Sequence, residues 1–198
     1  MRNTVSFPGA RRKLDEARRL SEQLDQAQDA ATFRTLFSAF LSAARAAINA
    51  LRKDGAGREG FRKWHDQKLV EIRQDALLRF VLEARDEDVH EGRHRLLFST
   101  QLQRFDTSQA GEPPGGYPAT IVLGNEGPAW IIDEGKPSQR SVPIHGGGSW
   151  ATLVVIADAP TSHRGHALAA TDPVTVCGLV VNYLGELVHE AESKFRDR

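Results

Sequence analysis

At 198 residues and 21.8 kDa the chain is long enough to bury a core of its own, and 40% hydrophobic against 26% charged residues is an ordinary globular balance. Its 26 Lys and Arg are matched by 26 Asp and Glu, so no global basic field recruits nucleic acid and any RNA contact has to come from a local patch. The single cysteine, Cys177, excludes an intrachain disulfide framework and a multi-cysteine zinc site and suits a reducing compartment.

The first nineteen residues are Arg-rich without an apolar stretch, which is not the pattern of a secretory signal. No apolar run approaches the ~20 residues of a membrane span. The expectation is a cytoplasmic protein with no membrane partner.

Residues 1–9 read as a loose arm. Over residues 10–28 a thin stripe of Leu14, Ala17, Leu20, Leu24 and Ala27 among many charges predicts a solvated helix with one narrow contact face. The next stripe is wider. Phe33, Leu36, Phe37, Phe40, Leu41, Ala44, Ala47, Ile48 and Leu51 recur at i, i+3, i+4 and i+7, and Gly55 and Gly57 then stop the helix. Arg45 sits among the small residues of this helix, at the edge of the predicted core. From Gly60, the residues Phe61, Trp64, Leu69, Ile72, Ala76, Phe80, Val81 and Ala84 predict one helix running to about Gly92. The short link predicts that it packs antiparallel to its predecessor.

After His94 the period changes. Short β-branched runs at 119–123, 129–132, 141–144 and 152–157, separated by Gly/Pro/Asn turns, predict a small antiparallel sheet. Asp172 and Pro173 then supply an N-cap and an N1 proline for a last helix over 172–197, with an apolar stripe from Val174 to Phe195. The fold class expected is α+β. It is one domain over residues 1–198, with N-terminal helices at 10–94, a β-rich insertion at 95–158 between the third and last long helices, and a C-terminal helix docking on the bundle.

Two motifs overlap at the end of the third helix. His90-Glu91-Gly92-Arg93-His94 has the zinc-hydrolase string, in which two histidines at i and i+4 ligate the metal and the glutamate activates water. A mid-motif glycine weakens the helix that has to hold both ligands on one face, and Arg93 puts a cation in the ligand turn. Arg85-Asp86-Glu87-Asp88-Val89-His90 is the other motif, an arginine followed by a short polar residue and then by a histidine. It ends an amphipathic helix that follows a strong helical segment.

In this motif and setting, over residues 30–92 plus the last helix, the chain resembles the HEPN family of small helical domains, with the β insertion as a departure. The resemblance implies a metal-independent endoribonuclease that needs no cofactor and acts as a homodimer, the motifs of two protomers meeting in one cleft. His90 would then move the proton of the RNA 2′-OH, Arg85 would stabilise charge on the phosphoryl oxygens and Asp86 would orient one of them. It also implies RNA as substrate and an antitoxin or other protein as a further partner. A catalytically silent member would serve as a dimerisation or partner-binding module. At 100° per residue Arg85 and His90 stand about 140° apart on an ideal helix, and Glu87, Asp88 and Glu91 sit badly with a polyanion.

Bland readings suffice elsewhere. His145-Gly146-Gly147-Gly148 reads as a hairpin turn, since no nucleophile elbow accompanies it. His163 and His166 read as solvated loop residues, Cys177 as a small buried hydrophobe, and Trp64, Trp130 and Trp150 as packing residues. Arg11, Arg12 and Lys13 with Arg18 and Arg19 form the best local candidate for a nucleic-acid contact.

Overall fold

The wide apolar stripe forms the spine of the helical part. In the computed structural model, which describes residues 7–124 and 127–195 (backbone alone at 100–102, 124 and 150–152), it is helix α2, Ala30–Asp54. Asp29 caps it, accepting the Thr32 N–H at 2.8 Å. Helix α1, Pro8–Asp25, returns along α2 through a short link, and its narrow stripe of Ala10, Leu14, Ala17 and Leu24 is buried. Helix α5, Pro173–Lys194, starts at the expected cap, with Asp172 accepting the Thr175 N–H at 2.9 Å. It packs on α1 and α2, placing Val176, Cys177, Val180 and Leu184 in the core.

Residues 1–6 of the expected loose arm lie outside the described residues, and Phe7 corrects that reading for the rest. It is fully buried and stacks on Phe61, with ring centroids 5.9 Å apart. Phe61 also meets Trp64, His65 and Phe195, so an aromatic cluster closes this end of the bundle. The cluster depends on Gly55 at the C-cap of α2, because a Cβ there would lie 2.2 Å from the Phe61 ring. Trp64 completes the join to α5 by donating its indole N–H to Glu190 at 2.8 Å.

The long third helix is two helices. Helix α3 covers Phe61–Gln74 and helix α4 covers Ala76–Glu91, with Asp75 between them in extended backbone (φ −78°, ψ 127°). The Asp75 carboxylate caps α4 through the Leu78 N–H at 2.9 Å. It also accepts the Arg164 N–H at 2.6 Å, and His163 Nδ1 lies 3.1 Å from both of its oxygens. Ile72, Ala76 and Phe80 keep the helical phase across the break, which is why periodicity alone runs through it. The corner also changes the packing. Helix α2 lies against α1, α4 and α5, while α3 packs on α4, and a cleft is lined by residues of α2, α3 and α4.

The chain divides into two compact units, the second of which lies within the expected β-rich insertion. One comprises the residues up to Phe98 together with those from Val154 onward, and the other is Ser99–Leu153. Strand β1 (Leu96–Phe105) pairs with β5 (Gly148–Ile156), the strands along which the chain passes from one unit to the other and back. Within the second unit β2 (Ala119–Gly124), β3 (Gly127–Ile132) and β4 (Arg140–Pro143) form an antiparallel meander in which Trp130 faces Ile121 and Val142. Ile132 and Ile144 are buried there, apart from the helical core. The 145–148 turn is seated: the Gly147 carbonyl accepts the Asp106 N–H at 2.7 Å, and at φ 75° a side chain on residue 147 would collide with the Asp106 carbonyl. The Trp150 side chain lies outside the described side chains. A two-residue hairpin follows β5, with β6 at Ser162–His163 and β7 at His166–Ala167. No helix among the described residues is long and apolar enough to cross a membrane.

Two measurements test this packing. Gly55→Ala is expected to lower unfolding free energy by about 1–3 kcal/mol in urea titrations, the usual cost of overpacking a filled core. Burial pushes the Asp75 carboxyl up, but the hydrogen bonds from Arg164, Leu78 and His163 reverse this and hold it below the ordinary aspartate range. A depressed folded value means a contribution that is fully present above the unfolded value near 4 and lost as pH falls through the folded one. Asp75→Ala should therefore cost about 1–3 kcal/mol at neutral pH, with the gap from wild type closing below about pH 4.

Candidate functional site

Helix α4 carries the motif. Arg85 is half-buried and its guanidinium donates to Asp86 Oδ1 at 3.0 Å, while its Nε is buried without a partner. Asp86 and His90 are exposed. The helix is continuous from Ala76 to Glu91, so the angular separation set by the five-residue spacing persists. Arg85 and Asp86 are brought together, and His90 stands apart from both.

Gly92 ends α4 in the left-handed conformation, at φ 64°. His94 therefore lies beyond the helix, where its Nδ1 meets Asp88 at 2.6 Å. Asp88 is nearly buried and also accepts the Ser38 hydroxyl of α2. His90, Glu91 and His94 thus do not share one helical face, and among the described residues no group of three or more His, Cys, Asp or Glu is arranged to hold a metal. The acidic neighbours are taken up locally. Glu87 pairs with both ends of the Arg95 guanidinium, which lies over the Phe80 ring, and Glu91 pairs with Arg93 at 3.3 Å.

A cleft of about 590 Å³ opens between α2, α3 and α4. Each helix contributes a face at helical spacing: Arg45, Ile48, Asn49 and Arg52 from α2, His65, Leu69 and Arg73 from α3, and Arg79, Leu82, Glu83 and Asp86 from α4. Arg79 lies 3.8 Å from Glu83, and Asp86 is engaged by Arg85. Among the described residues Arg45, Arg52 and Arg73 have no acid partner. Four guanidiniums against two carboxylates make this a locally positive cleft in an uncharged chain. Of the four arginines, only Arg45 stands out in the sequence, and Asp86 does so through the motif. The seven-residue interval between Arg45 and Arg52 was the available signal for one basic face.

Three of the five residues of the basic cluster near the N-terminus are paired, while Arg12 and Arg19 are exposed. Arg11 is clasped by Glu192, Lys13 meets Glu16 at 2.6 Å, and Arg18 meets Asp15 at 3.0 Å. His163 is not solvated: it is tucked against Asp75 and the Tyr183 ring, at the end of α4 opposite His90. His166 is exposed. Cys177 is fully buried, which pushes its thiol well above the ordinary range and leaves it a hydrophobe.

Arg95 pins the last turn of α4 through Glu87. Arg95→Ala should accelerate amide hydrogen exchange at residues 88–91 relative to wild type while leaving α2 amides unchanged, and equal exchange in the two proteins would remove this role.

No protein-family model matches the sequence, and no curated protein and no solved structure is found to be similar to it. A functional reading therefore rests on the side-chain geometry just described.

Proposed function

We propose that the protein is a HEPN-like, metal-independent endoribonuclease acting as a homodimer through Arg85, Asp86 and His90 of α4. The observation that carries this reading is the position of Asp86. It belongs to the motif, and it also lines a cleft in which Arg45, Arg52 and Arg73 have no acid partner among the described residues. An RNA backbone drawn to those guanidiniums would pass the exposed face of α4. His90 is free to take the 2′-OH proton as the oxygen attacks the neighbouring phosphate, with Arg85 balancing the charge on the phosphoryl oxygens. The separation of His90 from Arg85 favours a composite site, in which His90 of one protomer works beside Arg85 of its partner. Val89, adjacent to His90, is about half exposed and would be covered in such a pair.

One observation favours a second reading. Within a single chain Arg85 is held by Asp86 and shares no cleft with His90, which suits a silent dimerisation or partner-binding module. Incubation with single-stranded RNA in excess EDTA separates the two. The enzyme predicts cleavage by wild type that falls about 100-fold or more in both Arg85→Ala and His90→Ala. The silent module predicts no cleavage alongside an intact dimer by light scattering. Cleavage unaffected by either substitution would remove the assignment of these residues.

A further inference from the structure

The positive cleft does not end at its own walls. Arg52 and His65 also line an adjoining hollow of about 410 Å³ beside the α2–α3 loop, where Arg58 and Arg62 join them. Arg58, Arg62 and Asp66 in turn border a more open hollow at the start of α3, which adds Lys63. Because neighbouring hollows share side chains, the three are links of one groove. Its α3 wall is a single helical face, since Arg62, His65, Leu69 and Arg73 recur at intervals of three and four residues. At 1.5 Å per residue, the stretch from Arg62 to Arg73 is roughly 16 Å long.

Seven basic side chains line this groove against three acidic ones. The acids are already answered: Asp66 by Arg62 at 4.0 Å, Glu83 by Arg79 at 3.8 Å and Asp86 by Arg85 at 3.0 Å. Arg58 is anchored over the Phe7 ring. Arg45, Arg52, Lys63 and Arg73 have no acid partner among the described residues, and they are spread over all three hollows. Positive charge repeated along a line matches a ligand whose negative charge repeats. A small anion would engage one hollow and leave the others unmatched.

Two features choose among polyanions. Arg45 is half-buried within the cleft, where a flexible single strand can follow it inward. A nucleic-acid duplex is stiff, with a persistence length of about 150 bp for DNA, and would rest on the rim. The other feature is the lack of a stacking platform. The one Phe, Tyr or Trp lining the groove among the described residues is Phe61, which is only 2% exposed. Contact is therefore through the backbone. We infer that the groove is a binding track for single-stranded RNA, which holds about four phosphates, one for each cation without an acid partner, and does not read the bases. The choice of RNA rests on the ribonuclease reading, because Asp86 of the motif lines the α4 end of the groove. Binding itself does not require cleavage.

The test uses the full chain carrying His90→Ala, so that RNA is not consumed. Affinity for oligo(A) and oligo(U) of about 12 nucleotides is measured across a salt series. Neutralising four phosphates of a single strand gives a slope of about −3 in log affinity against log salt. Arg52→Ala combined with Arg73→Ala, both on exposed side chains, should flatten that slope by about 1.4 and weaken binding about tenfold or more at low salt. Arg12→Ala combined with Arg19→Ala removes the same charge from the exposed N-terminal cluster and should leave the slope unchanged. The two oligomers should bind within about threefold of each other, and a duplex RNA of equal length about tenfold more weakly. A slope that survives the groove substitutions, or that falls equally with the N-terminal ones, overturns the track. So does a duplex that binds as tightly as the single strands. A strong preference for one oligomer overturns backbone-only readout. If polyglutamate binds in a groove-dependent way and RNA does not, the groove takes an acidic polypeptide and the RNA assignment fails. Groove-dependent RNA binding by a wild type that does not cleave overturns the ribonuclease reading alone. Cleavage by a wild type whose RNA binding ignores the groove overturns the track alone.

Discussion

The arrangement of the helical unit depends on one carboxylate. Asp75 interrupts what would otherwise be a single long helix, and its two oxygens receive the Leu78 N–H, the Arg164 N–H and the His163 ring. The first of these starts α4, and the other two fasten the β6–β7 hairpin to its head. Because the chain turns at this residue, α3 leaves α2 free along one side and the cleft exists. An apolar residue at this position would retain the helical period and lose the corner.

The second theme is how an uncharged chain creates a local field. Carboxylates along α5 are engaged: Glu186 by Arg164, Glu190 by Trp64 and Lys68, and Glu192 by Arg11. Those at the end of α4 are engaged by His94, Arg93 and Arg95. Positive charge without a local counterpart is left in the α2–α3–α4 cleft. Net charge and pI report none of this, because the pairing is set by helix faces and not by composition. The same pairing engages three members of the N-terminal basic cluster, since Arg11, Lys13 and Arg18 each hold an acid.

Much of the helical architecture was legible in the sequence. The stripes of α2 and α5, the caps at Asp172 and Pro173, and the change of period after His94 all correspond to observed elements. What escaped was set by tertiary contacts. Asp75 was invisible because Ile72, Ala76 and Phe80 stay in phase across it. His163 was read as a loop residue because its partner lies 88 positions earlier. Phe7 looked like part of an arm because the Phe61 ring it stacks on is far along the chain. For the candidate site, the motif singles out Arg85, Asp86 and His90, whereas nothing in the sequence marks Arg52, Arg73 and His65 as lining the same cleft as Asp86. Each is ordinary by itself, and only the convergence of three helices brings them into one cleft.

The distance between Asp75 and His163 has a consequence for biogenesis. All strands of the Ser99–Leu153 unit other than the outer parts of β1 and β5 come from one uninterrupted stretch, so a growing chain can complete its β2–β3–β4 meander early. The helical unit cannot do the same. Its corner waits for the hairpin, and the apolar face of α2 waits for Val176, Val180 and Leu184 of α5. On the ribosome the inserted unit is thus ready first, while the bundle that precedes it keeps sticky surface uncovered until α5 has emerged. That interval is when a chaperone would find the most to hold.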